Sequence, residues 1–293
     1  MLERGYLTMK YGLHLFTYVS LLDESVLSLF PRLKEIGYDG CEIPLVAEHL
    51  DLIDPIKIRE TLKRCDMECI TGTGIPDDMS NISDHLKTRE RGSKHIKLCI
   101  DLTAKMEAPL LTGALYAPFG IQNKTMRNEE QWERSVRSVR EMALYAAPLG
   151  VTIGLEPLNR YEHFFINTAE EALMLIRDVN EPNVMLHLDT YHMNIEEKNL
   201  YRTIVDSGDY VCHVHCSEND RGTPGTGHID WDGVFRGLLE IDYSGWLVIE
   251  SFFQPIPEIS DFTPIWRQLA PDADTLAEKG LEFIKSRISR LKK

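Results

Sequence analysis

Four residues of metal-ligand type stand at the ends of four short apolar runs. They are Glu156 after Val151-Thr-Ile-Gly-Leu155, Asp189 after Val184-Met-Leu-His-Leu188, His215 closing Val211-Cys-His-Val-His215, and Glu250 after Trp246-Leu-Val-Ile249. Strand side chains alternate between faces, so Met185, His187 and Asp189 share one face and Val184, Leu186 and Leu188 the other. One face is apolar and the other ionisable, as in a barrel strand whose inward end opens into a site. Singly, each of the four reads equally well as a capping or salt-bridged residue; four such endings on successive strands are hard to explain by packing. Three carboxylates and one imidazole form a hard, oxygen-rich set. It suits Mn²⁺, with Co²⁺ or Mg²⁺ as alternatives, better than the sulfur- and histidine-rich surroundings that zinc usually occupies. Four protein ligands around an octahedral ion leave room for two adjacent oxygens of a hydroxy-ketone. Chelation there acidifies the carbon between them, and loss of its proton gives an enediolate.

The elements that must position these residues alternate along the chain. Strands are predicted at 11–16, 40–45, 68–74, 109–115, 151–156, 184–189, 211–215 and 246–250. Helices follow from Asp23 to Ile36, from Asp54-Pro55, from Asp84 to Met106, from Asn128 to Leu149, from Thr168 to Asp178, from Asn199 to Ser207, from Asp230 to Ile241 and from Asp272 to Leu291. Several openings carry an N-cap residue, and Gly37 stands as a C-cap. A doubly wound open sheet could use the same alternation, but eight repeats with no added domain favour closure into a (β/α)8 barrel, an α/β fold of about 250 residues. The 293 residues read as a single domain, 1–293, with 1–8 a loose extension. The longer irregular pieces, His215 to Ile229 and Ser251 to Pro271, follow strands seven and eight, where barrel enzymes keep their working loops. The aromatic-rich stretch from Phe252-Phe253 to Trp266 reads as exposed, either covering the site or meeting a second subunit.

The composition narrows the partners. A formal charge of −14 argues against a nucleic-acid surface, since a phosphate backbone needs a basic face. No run approaches the roughly 18 apolar residues of a membrane span, and no signal-peptide core opens the chain, so a cytoplasmic setting is expected. Six cysteines include no Cys-x-x-Cys pair, which argues against a zinc ribbon. Cys212 and Cys216 are placed beside Val214 on the outward face of their strand, as buried reduced thiols. His187, His213 and Glu42 are placed on inward faces as a buried hydrogen-bonded layer rather than as ligands.

Longer motifs surround the four strand ends. Gly154-Leu-Glu-Pro-Leu-Asn-Arg-Tyr-Glu162, Leu188-Asp-Thr-Tyr-His-Met-Asn-Ile-Glu-Glu197, His213-Val-His-Cys-Ser-Glu-Asn-Asp-Arg221 with Pro224-Gly-Thr-Gly227, and Ile249-Glu-Ser-Phe252 resemble the ketose 3-epimerases of the D-tagatose/D-psicose type, within the larger xylose isomerase-like TIM-barrel superfamily. The resemblance implies that Glu156, Asp189, His215 and Glu250 hold Mn²⁺ or a similar ion, and that Glu156 and Glu250 double as the acid-base pair. It implies that Glu162, His192 and Arg221 grip the O1, O2 and O3 end of a small ketose, and that the protein forms a homodimer or homotetramer. The match weakens toward the far end of the sugar. His14 stands where these epimerases tend to carry an aromatic, and Phe119 where they carry a tryptophan, which leaves the choice of ketose open. Other users of the same enediolate remain alternatives: an aldose-ketose isomerase of the hydroxypyruvate-isomerase kind, or an inosose dehydratase. A multi-zinc DNA-repair endonuclease would need a basic face and more metal-binding side chains than four strand ends supply, and a non-catalytic binding protein would not need two opposed carboxylates.

Overall fold

In the computed structural model, which describes residues 9–120, 125–259 and 264–292, eight parallel strands close into one barrel. They are β1 (Lys10–His14), β2 (Gly40–Pro44), β3 (Glu68–Gly72), β4 (Leu110–Gly113), β5 (Thr152–Leu155), β6 (Val184–Asp189), β7 (Val211–His215) and β8 (Trp246–Ile249). Each pairs with the next, and β8 pairs back to β1 with Ile249 beside Leu13. Around them run α1 (Leu29–Ile36), α2 (Pro55–Arg64), α3 (Leu86–Lys105), α4 (Glu129–Ala146), α5 (Ala169–Val179), α6 (Thr190–Glu196), α7 (Leu200–Ser207), α8 (Trp231–Glu240) and α9 (Ala273–Leu291). The expected barrel is therefore present. Residues 1–8, expected as a loose extension, lie outside the described residues.

Local chemistry sets the helix ends. Asp54 accepts from the backbone N–H groups of Ile56 and Lys57 ahead of a first-turn proline. Asn128 and Gln131 cap each other's backbone at the start of α4. Thr168, Asn199, Asp230 and Asp272 each cap a helix one way, accepting from the backbone N–H three residues on, and Gly37 ends α1 in the left-handed region at φ 107°.

Two apolar bodies hold the strands in place. The larger lies between barrel and helices and includes Phe30, Ile43, Leu111, Ile153, Leu186 and Leu281. The smaller, of Ile70, Leu110, Trp246 and Val248, is built from inward positions and plugs the barrel. Gly40 makes room for the plug: a Cβ there would meet the Trp246 ring at 2.6 Å. Inward positions two residues further along turn polar, so Val248 is followed by Glu250 and Leu110 by Thr112. The barrel thus has an apolar floor and an ionisable mouth.

Four expectations change in detail. Glu156 and Glu250 are the first residues beyond β5 and β8 rather than their last. A short helix, α6, springs directly from β6, ahead of the expected helix at Asn199. Cys212 is not on the outward face. Leu186 pairs with Val211 and His187 with His213, so Cys212 is the extra residue of a bulge, packed against the inner plug with its thiol 3.4 Å from the Leu186 carbonyl. Phe252 is not exposed but buried against Ile265, whereas Trp266 is 78% exposed.

Candidate active site

Glu156, Asp189, His215 and Glu250 converge at the mouth of the barrel, each offering one ligand atom within 4.8 Å of the others. His215 Nδ1 lies 3.2 Å from Glu250 Oε2, 3.7 Å from Glu156 Oε1 and 3.8 Å from Asp189 Oδ2. Asp189 divides its oxygens. Oδ1 caps α6 by accepting from the Tyr191 N–H at 2.8 Å, and Oδ2 faces the cluster. The capping and ligand readings of this residue are both satisfied, by different atoms.

The donor set fits a divalent ion. His215 Nε2 donates to Glu42 Oε2 at 2.7 Å, so in the neutral ring the free lone pair sits on Nδ1. Nδ1 is buried, has no hydrogen-bond partner among the described residues and is aimed among three carboxylates. An orphaned imidazole nitrogen facing that much negative charge is what a cation would complete. The charged groups of the site also act on one another. Burial pushes the Glu156 carboxyl well above its usual range, with Glu250 and Asp189 adding to the rise and His215 opposing it. Burial works the same way on Glu250 and Asp189, but there the Arg221 guanidinium, joined by His215, outweighs it and holds both low. Burial in turn disfavours charge on Arg221, yet Glu250 and Asp189 keep it firmly protonated.

Arg221 reaches the cluster from the long loop after β7. Its Nη1 donates to Asp189 Oδ2 at 2.7 Å and Glu250 Oε2 at 2.6 Å, and its guanidinium lies 4.1 Å from the centre of the Tyr191 ring. His192 stands beside it on α6. Its Nδ1 accepts from the Asn159 backbone N–H at 3.1 Å, which leaves Nε2 to carry the proton, 3.8 Å from both Glu156 and Asp189. The Asn159 side chain also donates to Glu162 Oε1 at 2.9 Å. All of these except Asn159, Asp189 and Tyr191 line one cavity of about 580 Å³, whose other wall carries His14, Phe16, Ile75 and Phe119. That is room for a monosaccharide. His14 is buried 6.0 Å from the His215 ring, and burial lowers its affinity for a proton, with Glu250 and Glu42 opposing.

The expected buried layer is present too. Glu42 Oε2 also accepts from His213 Nε2 at 3.0 Å, and His187 Nδ1 bonds Thr112 Oγ1 at 2.8 Å. Two further residues lie inside the quoted motifs, yet their roles are not readable from the sequence. Glu218, fully buried, accepts from the backbone of Ile229 and Gly225 and from the Trp231 indole, and so pins the loop that carries Arg221. Asn159 lies inside a motif, but its part in orienting His192 depends on α6, which the sequence reading missed.

A closed barrel with an acid-rich mouth defines the class. The family model of the xylose isomerase-like TIM barrel matches residues 30–287. The chain is 35% identical over 253 residues to the L-ribulose 3-epimerase of Methylomonas sp. (strain DH-1), covering 86% of this chain and 87% of that one. It is 32% identical over 271 residues to the D-psicose 3-epimerase of Ruminiclostridium cellulolyticum, covering 91% and 92%. The crystal structure of a Methylomonas D-allulose 3-epimerase with D-allulose superimposes with a TM-score of 0.90 at 32% identity, over 96% of this chain and 97% of that one. The chain belongs to the ketose 3-epimerases of the xylose isomerase-like TIM-barrel family.

Proposed function

We propose that the protein is a metal-dependent ketose 3-epimerase acting on a free pentulose or hexulose. The observation that carries this reading is the convergence of Glu156 and Glu250, from strands separated by β6 and β7, on the single space that His215 Nδ1 faces. Glu156, Asp189, His215 and Glu250 would hold the ion, with Mn²⁺ the best fit to the donor set and Co²⁺ or Mg²⁺ the alternatives. When bound, such an ion supplies positive charge against the enediolate that forms across C2 and C3.

The remaining work falls to side chains. One of the two glutamates, ionised, takes the proton from C3. The other, protonated, returns a proton to the opposite face of the same carbon, so the pair exchanges states and the reaction runs in either direction. His192 Nε2–H and the Arg221 guanidinium offer donors to the oxygens at the carbonyl end, and Glu162 offers an acceptor. Together they decide which carbon lies between the carboxylates. Phe119, on the cavity wall, would bear on which ketose is preferred, whereas His14, expected at the far end of the sugar, lies 6.0 Å from the His215 ring and so beside the ion site. Six free thiols suit the cytoplasm, no described helix is long and apolar enough to cross a membrane, and the charge of −14 disfavours nucleic acid. We read residues 1–293 as one domain and expect two or four copies to assemble.

Proton NMR in D₂O with Mn²⁺ and a panel of ketoses tests the reaction class. Deuterium entering C3 together with a new epimer is the expected result. Exchange at C1 instead would make the protein an aldose-ketose isomerase, and no exchange in any free ketose would remove the enediolate reading.

A further inference from the structure

We propose that Glu42 is a positioning residue of the metal centre, its carboxylate fixing the orientation and tautomer of His215 so that Nδ1 faces Glu156, Asp189 and Glu250. The inference rests on the reading of those four residues as ion ligands and assigns a cause to the geometry of one of them.

Glu42 lies on β2, across the lumen from β7, and is 1% exposed. An acid buried so deeply costs free energy unless its oxygens are used. One of them is used twice: Oε2 accepts from His215 Nε2 at 2.7 Å and from His213 Nε2 at 3.0 Å. The second donor matters because it holds the oxygen still. A carboxylate with one partner could follow the His215 ring, whereas one pinned by His213 dictates where that ring must point. Donation from Nε2 commits the neutral ring to a lone pair on Nδ1, the atom that reaches 3.2 Å from Glu250. The ring cannot easily turn away. His187 and His213 meet it edge-on, with centroids 4.1 and 4.9 Å distant.

The space for Glu42 is itself built. Its other oxygen, Oε1, occupies the position above Gly72 of β3, where an added Cβ would come within 2.5 Å of it. A side chain at residue 72 would have to displace the carboxylate. Two strands thus accommodate Glu42, two histidines bind it, and none of these residues except His215 belongs to the ligand set.

Direct ion binding to the full chain tests this without recourse to turnover. The ion-free protein is titrated with Co²⁺ and with Mn²⁺ by calorimetry, and the visible Co²⁺ spectrum is recorded. Glu42→Gln keeps the shape but turns an amide toward one of its surroundings and removes the charge. We expect its ion affinity to fall by about ten- to a hundredfold, with a shifted Co²⁺ band. Gly72→Ala, which leaves Glu42 and every ligand in the sequence, should change both readouts in the same direction, and it decides the matter if Glu42→Gln does not fold. Wild-type affinity and an unchanged Co²⁺ spectrum in a folded variant would overturn the role of Glu42 alone. A wild-type chain that binds neither ion would overturn the metal-centre reading and this inference with it.

Discussion

Glu156 and Glu250 are held differently although they would share one task. Glu156 has only imidazoles near its carboxyl, those of His187, His192 and His215, whereas Glu250, also close to His215, is bound directly by Arg221. Replacing either by glutamine keeps an oxygen for an ion but removes the group that carries a proton. Glu156→Gln and Glu250→Gln are each expected to lower kcat by about a thousandfold or more, within the range ascribed to positioned general acids and bases. Steady-state rates on the ketose found by NMR check this. A variant retaining a tenth of its activity would end the two-base mechanism, because a single carboxylate reaches C3 from one side only.

At the scale of elements, the loop between β7 and α8 links the substrate grip to the barrel. Arg221 adopts φ 64°, a left-handed backbone unusual for a side-chain-bearing residue, and its carbonyl accepts from the Phe252 N–H at 2.8 Å. Glu218 supports that conformation from beneath, since its two oxygens gather donors from residues 225, 229 and 231 into one turn of chain. Glu218→Gln turns an NH₂ group toward donors. The expected result is a loss of about 1–3 kcal/mol in chemical denaturation, with KM rising several-fold as Arg221 loses its seat. Co²⁺ affinity should change less than KM, because the loop carries no ion ligand itself and touches the ligands only through the Arg221 hydrogen bonds to Asp189 and Glu250. Weakened ion binding with an unaltered KM would place Glu218 in the wrong assembly.

Stability belongs to the whole molecule, and the barrel couples it to both ions and protons. Closure depends on the last helix as well as on the strands: Tyr38 of the β2 side donates to the Ala277 carbonyl at 2.8 Å, and Tyr18 to Asp274 at 2.6 Å. A ligand that binds only this closed form stabilises it by mass action, about 2.7 kcal/mol at a hundred times its Kd. Chelation should therefore abolish turnover and lower Tm by roughly 5 °C, and added Mn²⁺ should restore both. A melting curve indifferent to chelator and to Mn²⁺ would speak against a resident ion. Protons act at His163, buried beneath Tyr116, where burial lowers the imidazole from 6.5 to about 4. Between those values the unfolded chain binds the proton and the folded chain does not, so this contribution is complete above pH 6.5 and is lost as the pH falls toward 4. From pH 7 to pH 5 the loss is roughly 2 kcal/mol. Denaturation of wild type and His163→Gln at both pH values should show a smaller pH dependence in the variant, and parallel curves would remove His163 as the cause.

Features that depend on neighbours along the chain are legible without coordinates. Period-two alternation with an acid or imidazole at the end made Glu156, Asp189, His215 and Glu250 legible, and Asp54-Pro55, Asn128, Thr168 and Asp272 marked helix starts because a cap bonds residues two or three positions away. Alternation also put Glu42, His187 and His213 inside the barrel. Tertiary structure alone decided which inward residues touch. Glu42 and His215 are 173 positions apart on strands that do not pair, and they meet because barrel closure and strand stagger bring them level across the lumen. The bulge at Cys212 escaped notice for the same reason, since a register shift is a relation between two strands and leaves no mark on either. Arg221 was named only through the resemblance, and its seat is a tertiary matter: two carboxylates from other strands direct its guanidinium, and Glu218 folds its loop from within.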